Sequence, residues 1–429
     1  MKRKVAFKTL GCRLNQFETD ALLTDFYNAG YEIVDFKEDA DVYIVNTCTV
    51  TNQGDHKSNT YINQAARKGF RSLVVVTGCM AVSRKEYLEN RNDITYVVGN
   101  SNKSQLLSLV EAHFNGEMPH PGELKSDLFA YTVAEKSFHT RSMIKIQDGC
   151  DNFCSYCIVP LVRGRAVSRP AKDILFHVEQ VVALGFKEVV LTGVNISRYA
   201  YEGIGFAALI EKILEIRGDF RVRISSIEPE RLGEGFTDLF RHDKLCPHLH
   251  LCLQSGSDLI LQRMKRKHTV TEFYALVERL RTKHPLFNLT TDIIVGFPGE
   301  TDHDFEETCR VVRDIGFSHV HTFKYSMRKG TKAEKMPDQI DEKDKKLRSE
   351  IIRKLAEENR LRYYSHFVGK KQNVLVEKIT RQGYAKGFGE HYLPVEFKSD
   401  TTAKNYFVNV HIEEVNEPLK ILQGIPEVL

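Results

Sequence analysis

A chain of 429 residues, 42% hydrophobic and 28% charged, is too long for one ordinary domain and is expected to divide into two to four. It holds no run of about 18 apolar residues, which excludes a membrane-spanning helix. Residues 5–10, behind the basic Met1-Lys2-Arg3-Lys4, are too short and interrupted for a secretory h-region, so a cytoplasmic address is expected, and the net charge of +4 does not by itself point to nucleic acid.

Residues 4–10 read as a short apolar strand. Residues 16–29 read as a helix with Phe17, Leu22, Leu23, Phe26 and Tyr27 on its apolar side, stopped by Gly30. Strands are expected over 40–46, 72–77 and 95–98, with a polar helix over 51–68 closed by Gly69 and another helix over 102–114. This β-α repetition predicts an open, mostly parallel sheet. Residues 115–140 lose periodicity and carry Gly116, Pro119, Pro121 and Gly122, the composition of a linker.

A second β-α series follows, with strands near 143–147, 188–192, 221–226, 248–254, 289–295 and 319–325 and one helix opened by Pro170. Six such units fit an incomplete parallel barrel. A charged helix spans 343–364, and strand-like segments at 372–379, 384–388 and 406–411 predict a small β-domain. The expected organisation is thus α/β: an N-terminal open parallel sheet domain (1–116), a linker (117–139), a partial barrel (140–365) and a small C-terminal β-barrel (366–429).

Basic residues bunch at Arg263, Lys265, Arg266, Lys267 and His268. They bunch again from Lys343 through Lys345, Lys346, Arg348, Arg353, Lys354, Arg360 and Arg362 to Lys370 and Lys371. Such blocks suit a phosphate-bearing partner, although a solvated helix face has the same composition.

Nine cysteines in an apparently reduced compartment point to metal or catalysis before disulfides. Cys150, Cys154 and Cys157 have the spacing to bind three irons of a [4Fe–4S] cube, leaving the fourth iron without a protein ligand. The segment follows a strand directly, at the barrel mouth. A zinc site would ask for a second C-x-x-C half, and the sequence has none. Cys12, Cys48 and Cys79 are far apart in sequence, but each falls just past the end of a strand, and in an open parallel sheet those ends meet at one crevice. Three buried core cysteines are the plainer alternative. Cys246, Cys252 and Cys309 read as core residues, Cys252 within a strand and Cys309 on an apolar helix face.

With both triplets in view, the chain resembles the radical-SAM methylthiotransferase family along nearly its whole length. Leu10-Gly11-Cys12-Arg13-Leu14-Asn15 and Asn46-Thr47-Cys48-Thr49-Val50 look like that family's first domain. Cys150–Cys157, followed by Pro160, Arg163-Gly164-Arg165 and Ser168-Arg169-Pro170, looks like its catalytic signature. The tail from about His366 resembles the RNA-binding TRAM domain. Within the family, Gly11-Cys12-Arg13-Leu14-Asn15 resembles the branch acting on tRNA threonylcarbamoyladenosine (MtaB), whereas the isopentenyladenosine branch usually shows Gln-Met before that Asn.

The resemblance implies two [4Fe–4S] clusters and S-adenosyl-L-methionine (SAM) as cofactors. SAM would be used once to methylate a sulfur at the first cluster and once to give a 5′-deoxyadenosyl radical at the second. A methylthio group would then reach carbon 2 of N6-threonylcarbamoyladenosine at position 37 of tRNA. Implied partners are a tRNA anticodon stem-loop, a flavodoxin- or ferredoxin-like electron donor and a sulfur source, with no membrane. Metal ligands would be Cys12, Cys48, Cys79, Cys150, Cys154 and Cys157. SAM contacts would come from Thr192, Gly193 and Asn195, from Ser226 and Glu228, from Gln254, from Gly296 and from Tyr156, which would cover the cluster. No catalytic side chain beyond these is assigned. Arg163, Arg165 and Arg169 are candidates for a substrate carboxylate or phosphate, with a loop ion-pair network as the alternative. Other readings are methylthiolation of isopentenyladenosine or of an aspartyl residue of a ribosomal protein. A non-catalytic RNA-binding iron–sulfur protein is a third, against which two incomplete ligand sets argue.

Overall fold

The computed structural model describes residues 2–68, 72–133, 140–233, 235–399 and 403–427. Gly69, expected to stop a helix, and residues 134–139 of the expected linker lie outside them.

The first unit is a five-stranded parallel sheet in the order Glu32–Val34, Lys4–Thr9, Val42–Thr47, Leu73–Gly78, Tyr96–Val98. Every residue of Val42–Thr47 and Leu73–Gly78 is buried, as continuous apolar strands covered on both faces require. Val42, Ile44 and Val75 face the helices Arg13–Asn28 and Leu106–Phe114. Tyr43, Val45, Val74 and Val76 face the other way, toward Ile62 and Ala65 of the helix Asn52–Lys68.

Two details differ from expectation. The first helix begins at Arg13, because Cys12 is its N-cap in extended backbone, and no Ser, Thr, Asp or Asn marks that start. The edge strand Glu32–Val34, only three residues long, carries no periodic signal. Residues 115–133 hold one short 3-10 turn, Pro121–Glu123, but are more than a tether. Tyr131 is buried edge-on against Phe17 at 5.5 Å.

The second unit has six parallel strand positions in two pieces. One is Arg141–Lys145, Glu188–Thr192, Arg221–Ile224; the other is Ser226–Ile227, His248–Leu251, Asn288–Val295, His319–Lys324. A break at Ser225 lets the third strand pair with its neighbour on one side before the break and on the other after it. Among the described residues the first and last strands do not pair, so the barrel is open on one side. Its core is aliphatic, with Val189, Leu191, Val222, Leu249, Leu289 and Ile293 fully or almost fully buried.

The charged helix Glu342–Ser365 packs on this core through Ile352 and Ala356. Two of its cations are internal: Arg348 binds Glu300 and Asp302 at 2.8 Å each, and the buried Lys345 pairs with Glu342. The remaining tail is a closed five-stranded barrel, Lys371–Ile379, Tyr384–Phe388, Pro394–Lys398, Ile421–Pro426, Phe407–Asn416. The strands Pro394–Lys398 and Ile421–Pro426 were not expected, since each carries a terminal proline and the second an internal Gly424. Arg221 and Arg223, held by the buried Glu188 at 2.6 and 2.7 Å, dock this barrel on the central one by donating to the carbonyls of Asn373, Phe388, Gly389 and Glu390.

Candidate active site

A cavity of about 860 Å³ lies where the three units meet. The first unit contributes Cys12, Cys48, Cys79 and Arg13. The central barrel contributes Thr192, Gly193 and Ser226 at strand ends, then His250, Thr290 and Asp292 along the lumen. Phe388, Tyr392 and Pro394 of the small barrel close the far end.

The three N-terminal cysteines are brought together by topology. Cys12 caps a helix after the first strand, Cys48 follows Val42–Thr47, and Cys79 opens a short helix after Leu73–Gly78. The chain bends tightly here. Gly11 has φ +92°, and a Cβ on it would stand 2.8 Å from the Cys48 Cβ and 3.0 Å from its Sγ. Gly78 has φ +95°, and a Cβ there would stand 2.4 Å from the Thr47 carbonyl oxygen. Only glycine fits both places. Cys12 is exposed, Cys48 half-buried and Cys79 buried, a set open on one side. Burial pushes the Cys48 thiol up to about 11 and raises that of Cys79. A bound metal overrides such a rise, because a coordinated thiol is deprotonated outright. Three sulfurs around a glycine-walled mouth fit a cluster with one iron free of protein.

Cys150, Cys154 and Cys157 form a single loop after Arg141–Lys145, pinned by the Cys150 amide donating to the Gly164 carbonyl at 3.1 Å. Donors already point at the sulfurs. The Asn152 amide reaches Cys150 Sγ at 3.4 Å and Asn195 Nδ2 reaches it at 3.8 Å, while Arg266 Nη1 reaches Cys154 Sγ at 3.6 Å. Burial, with Cys154 close by, pushes the Cys157 thiol up to about 12. Donors aimed at half-buried sulfurs fit an anionic cluster better than free thiols.

The expected SAM residues lie in different settings. Thr192, Gly193 and Ser226 line the cavity. Asn195 is buried and fixed by its amide to Gln147 Oε1 at 2.8 Å and by Ser197 Oγ donating to its Oδ1. Gly193 presses against the Gln147 carbonyl, 2.7 Å from where a Cβ would stand. Gln254 takes φ +74°, its backbone bonded to the Asn288–Val295 strand. Gly296 donates its amide to Glu300 at 2.6 Å. Glu228 is paired with Arg266, and burial raises its carboxyl. Tyr156 is half-buried and packs edge-on against Phe297 at 6.3 Å.

The arginine-rich loop is divided. Arg163 is buried and bound to Glu18, Asp148 and Asn15 at 3.0, 3.0 and 2.6 Å. Arg165 is exposed and pairs with Asp151, and Arg169 reaches His177 at 3.0 Å. None of the three lines the cavity. Arg263–His268 is divided as well, with Lys265 and Lys267 exposed and Arg266 internal.

Two arrangements were not foreseen from the sequence. His248, His250, His319 and His321 line the cavity, with His250 Nε2 3.1 Å from Asp292; a period-two spacing of histidines in two strands was the available signal. Arg13 and Arg141 both donate to the Tyr392 hydroxyl, at 3.1 and 3.2 Å, and Arg223 lies 4.5 Å over its ring. These guanidinium groups hold the phenol below its usual range against the burial that raises it. Among the described residues no carboxylate pairs with Arg13. Nothing local in the sequence joins Arg13 to Tyr392.

Comparison with known proteins gives the family and the fold. The model of uncharacterized protein family UPF0004 matches residues 4–99 and that of the radical SAM superfamily residues 144–312. The chain is similar to a threonylcarbamoyladenosine tRNA methylthiotransferase, MtaB, of Chlamydia pneumoniae, 38% identical across 95% of each chain. It is similar also to a tRNA-2-methylthio-N(6)-dimethylallyladenosine synthase of Syntrophus aciditrophicus, 36% identical over 89% of this chain and 85% of that one. The radical S-adenosylmethionine methyltransferase TsrM of Kitasatospora setae superposes with a TM-score of 0.55 over 76% of this chain and 75% of its own, at 15% identity, a likeness of fold.

Proposed function

The chain belongs to the radical-SAM tRNA methylthiotransferases, and on that premise we propose that it adds a methylthio group to carbon 2 of N6-threonylcarbamoyladenosine at position 37 of tRNA. SAM and [4Fe–4S] clusters are the cofactors of this family. The observation that carries the substrate reading is Arg13, beside Cys12 and facing the common cavity, bonded to the Tyr392 hydroxyl but, among the described residues, to no carboxylate.

In this reading Cys150, Cys154 and Cys157 hold one cluster and Cys12, Cys48 and Cys79 the other. When bound, clusters and SAM supply the radical and sulfur chemistry. The protein's work is placement. Asn195 and Arg266 hydrogen-bond the sulfurs of the second triplet. Thr192, Gly193 and Ser226 line the cavity where SAM would reach it, and Asn195, Gln254, Gly296, Glu228 and Tyr156 are the further SAM contacts of this reading. A nucleobase turned out of the anticodon loop would enter the same space. Both ring nitrogens of His250 are engaged, by Thr290 and Asp292, so it shapes the lumen wall, and Phe388 stacked on Tyr392 closes the cavity behind the base's substituent.

A threonylcarbamoyl group ends in a carboxylate, and of the cations that line the cavity, Arg13, Lys57, Arg360 and Lys420, Arg13 beside Cys12 is the one proposed to meet it. Arg163, Arg165 and Arg169 are turned elsewhere, so the substrate role given to that loop passes to Arg13. The closed C-terminal barrel and the exposed Lys343, Lys346, Arg353 and Lys354 offer the anticodon stem a cationic flank. An electron donor of the flavodoxin or ferredoxin type and a sulfur source complete the proposal, in the cytoplasm where tRNA is modified.

The test is nucleoside mass spectrometry after reaction of reduced enzyme and SAM with purified tRNAs. Methylthiolation of threonylcarbamoyl-bearing tRNA is expected. Reaction of the isopentenyl-bearing tRNA alone would overturn the substrate reading and leave the family assignment standing.

A further inference from the structure

Five charged side chains meet between the first two units, each no more than 3% exposed. Lys103 and Lys145 reach Glu18 at 2.5 and 3.0 Å, Lys145 reaches Asp148 at 2.6 Å, and Arg163 reaches both carboxylates at 3.0 Å. Among the described residues no further acid joins them. Three basic side chains therefore face two acids, and with all five charged one positive charge is left over, which burial opposes by lowering Lys103 from its ordinary value. An uncompensated charge this deep is strongly unfavourable unless another group answers it.

The network leads to the first cysteine triplet at three points. Arg163 donates to Asn15, which holds the carbonyls of Leu10 and Thr47, just ahead of Cys12 and Cys48 in the chain. Lys103 donates to Asn46, two residues before Cys48, at 3.1 Å. Asn100 donates to the carbonyl of Val162, next to Arg163, at 2.9 Å and points its amide at Cys79 Sγ at 3.8 Å. Arg163 and Lys103 are the cations whose fields reach the Cys79 sulfur. The second triplet feels a different, balanced set, led by Arg266 and Glu228.

We infer that this buried ion cluster is the electrostatic counterpart of the N-terminal triplet: its one unbalanced positive charge answers the thiolates of Cys12, Cys48 and Cys79 and sets the reduction potential of the cluster they hold. The inference rests on the reading that this triplet holds an iron–sulfur cluster. One-electron reduction adds a negative charge at the cluster, so a nearby cation favours the reduced form. Glu18, Lys103, Lys145, Asp148 and Arg163 are positioning residues, acting through the thiolates.

The test is an EPR-monitored redox titration of the reconstituted full-length enzyme, after iron per chain is measured. The second cluster is identified by its response to SAM. Lys103→Met should move the first cluster's reduction to more negative potential, and Glu18→Gln should move it to more positive potential. Lys103→Arg should restore the parent value, and the second cluster should stay in place throughout. Opposite shifts are what a purely structural role cannot give. Shifts in one direction only, or none with full iron content, would overturn the inference. Should Lys103→Met not fold, Lys145→Met removes the same charge from the other side of Glu18 and is read the same way. If the Cys12, Cys48 and Cys79 triple alanine variant retains all its iron, it is the underlying cluster reading that fails.

Discussion

The two cysteine triplets reach similar chemistry by opposite routes. Cys150, Cys154 and Cys157 sit in one loop that follows a single strand, their spacing set by the chain itself and the loop held through Cys150 to Gly164 and through Ser155 to Met264. Cys12, Cys48 and Cys79 belong to three separate strand ends and meet only once the sheet has formed in the order that sets those strands side by side. A local motif carries its geometry before folding; a distributed one borrows it from topology. The first kind can therefore be perturbed alone, whereas the second is sensitive to anything that shifts the sheet.

The largest effect is expected where the local motif is removed. Alanine at Cys150, Cys154 and Cys157 should take away about four irons per chain. It should abolish 5′-deoxyadenosine formation from SAM. Alanine at Cys12, Cys48 and Cys79 should also remove about four irons but leave SAM cleavage detectable, with no methylthio product. Equal loss of cleavage in both variants would erase the contrast.

Glycines sharpen the same comparison at smaller cost. Gly11→Ala forces a Cβ against Cys48 at φ +92° and is expected to destabilise the first unit by about 1–3 kcal/mol. Its iron content should fall toward that of the second cluster alone. Gly149→Ala would press a Cβ to within 1.9 Å of the Arg165 carbonyl oxygen and should spare the first cluster instead. Thermal unfolding with iron analysis separates the two.

How much of this was legible follows from the same distinction. The second triplet was readable residue by residue. The first was readable once strand ends were placed, and the strands themselves were marked by apolar runs such as Val42–Val45 and Leu73–Val76. The six barrel strands were found within a few residues, while Pro394–Lys398 and Ile421–Pro426 were hidden by proline and glycine. Charges were the hard part. Arg163, Arg266 and Arg348 look like surface cations in sequence, yet each is paired with a carboxylate, Glu18, Glu228 and Glu300, that lies 38 to 145 positions away. No window of sequence holds both members of such a pair. Arg13 and Tyr392, 379 positions apart, are the extreme case.

The smallest effect expected is also the one that divides cations seen in sequence from cations placed by the fold. Arg165 lies at the surface, its side chain 76% exposed, and its bond to Asp151 is worth at most about 1 kcal/mol in water. Arg165→Leu should leave the choice between threonylcarbamoyl- and isopentenyl-bearing tRNA unchanged and lower general affinity slightly. Arg13→Leu is the contrasting arm. Loss of a desolvated partner for a substrate carboxylate costs about 2–5 kcal/mol. That loss should appear in kcat/KM for the threonylcarbamoyl substrate and not for the isopentenyl one, which has no charge to leave unpaired. The measurement is the ratio of the two kcat/KM values for each variant, by nucleoside mass spectrometry. A ratio moved by Arg165→Leu and untouched by Arg13→Leu would return the substrate role to the loop behind Cys157, because the surface pair would then be doing what the cavity was expected to do.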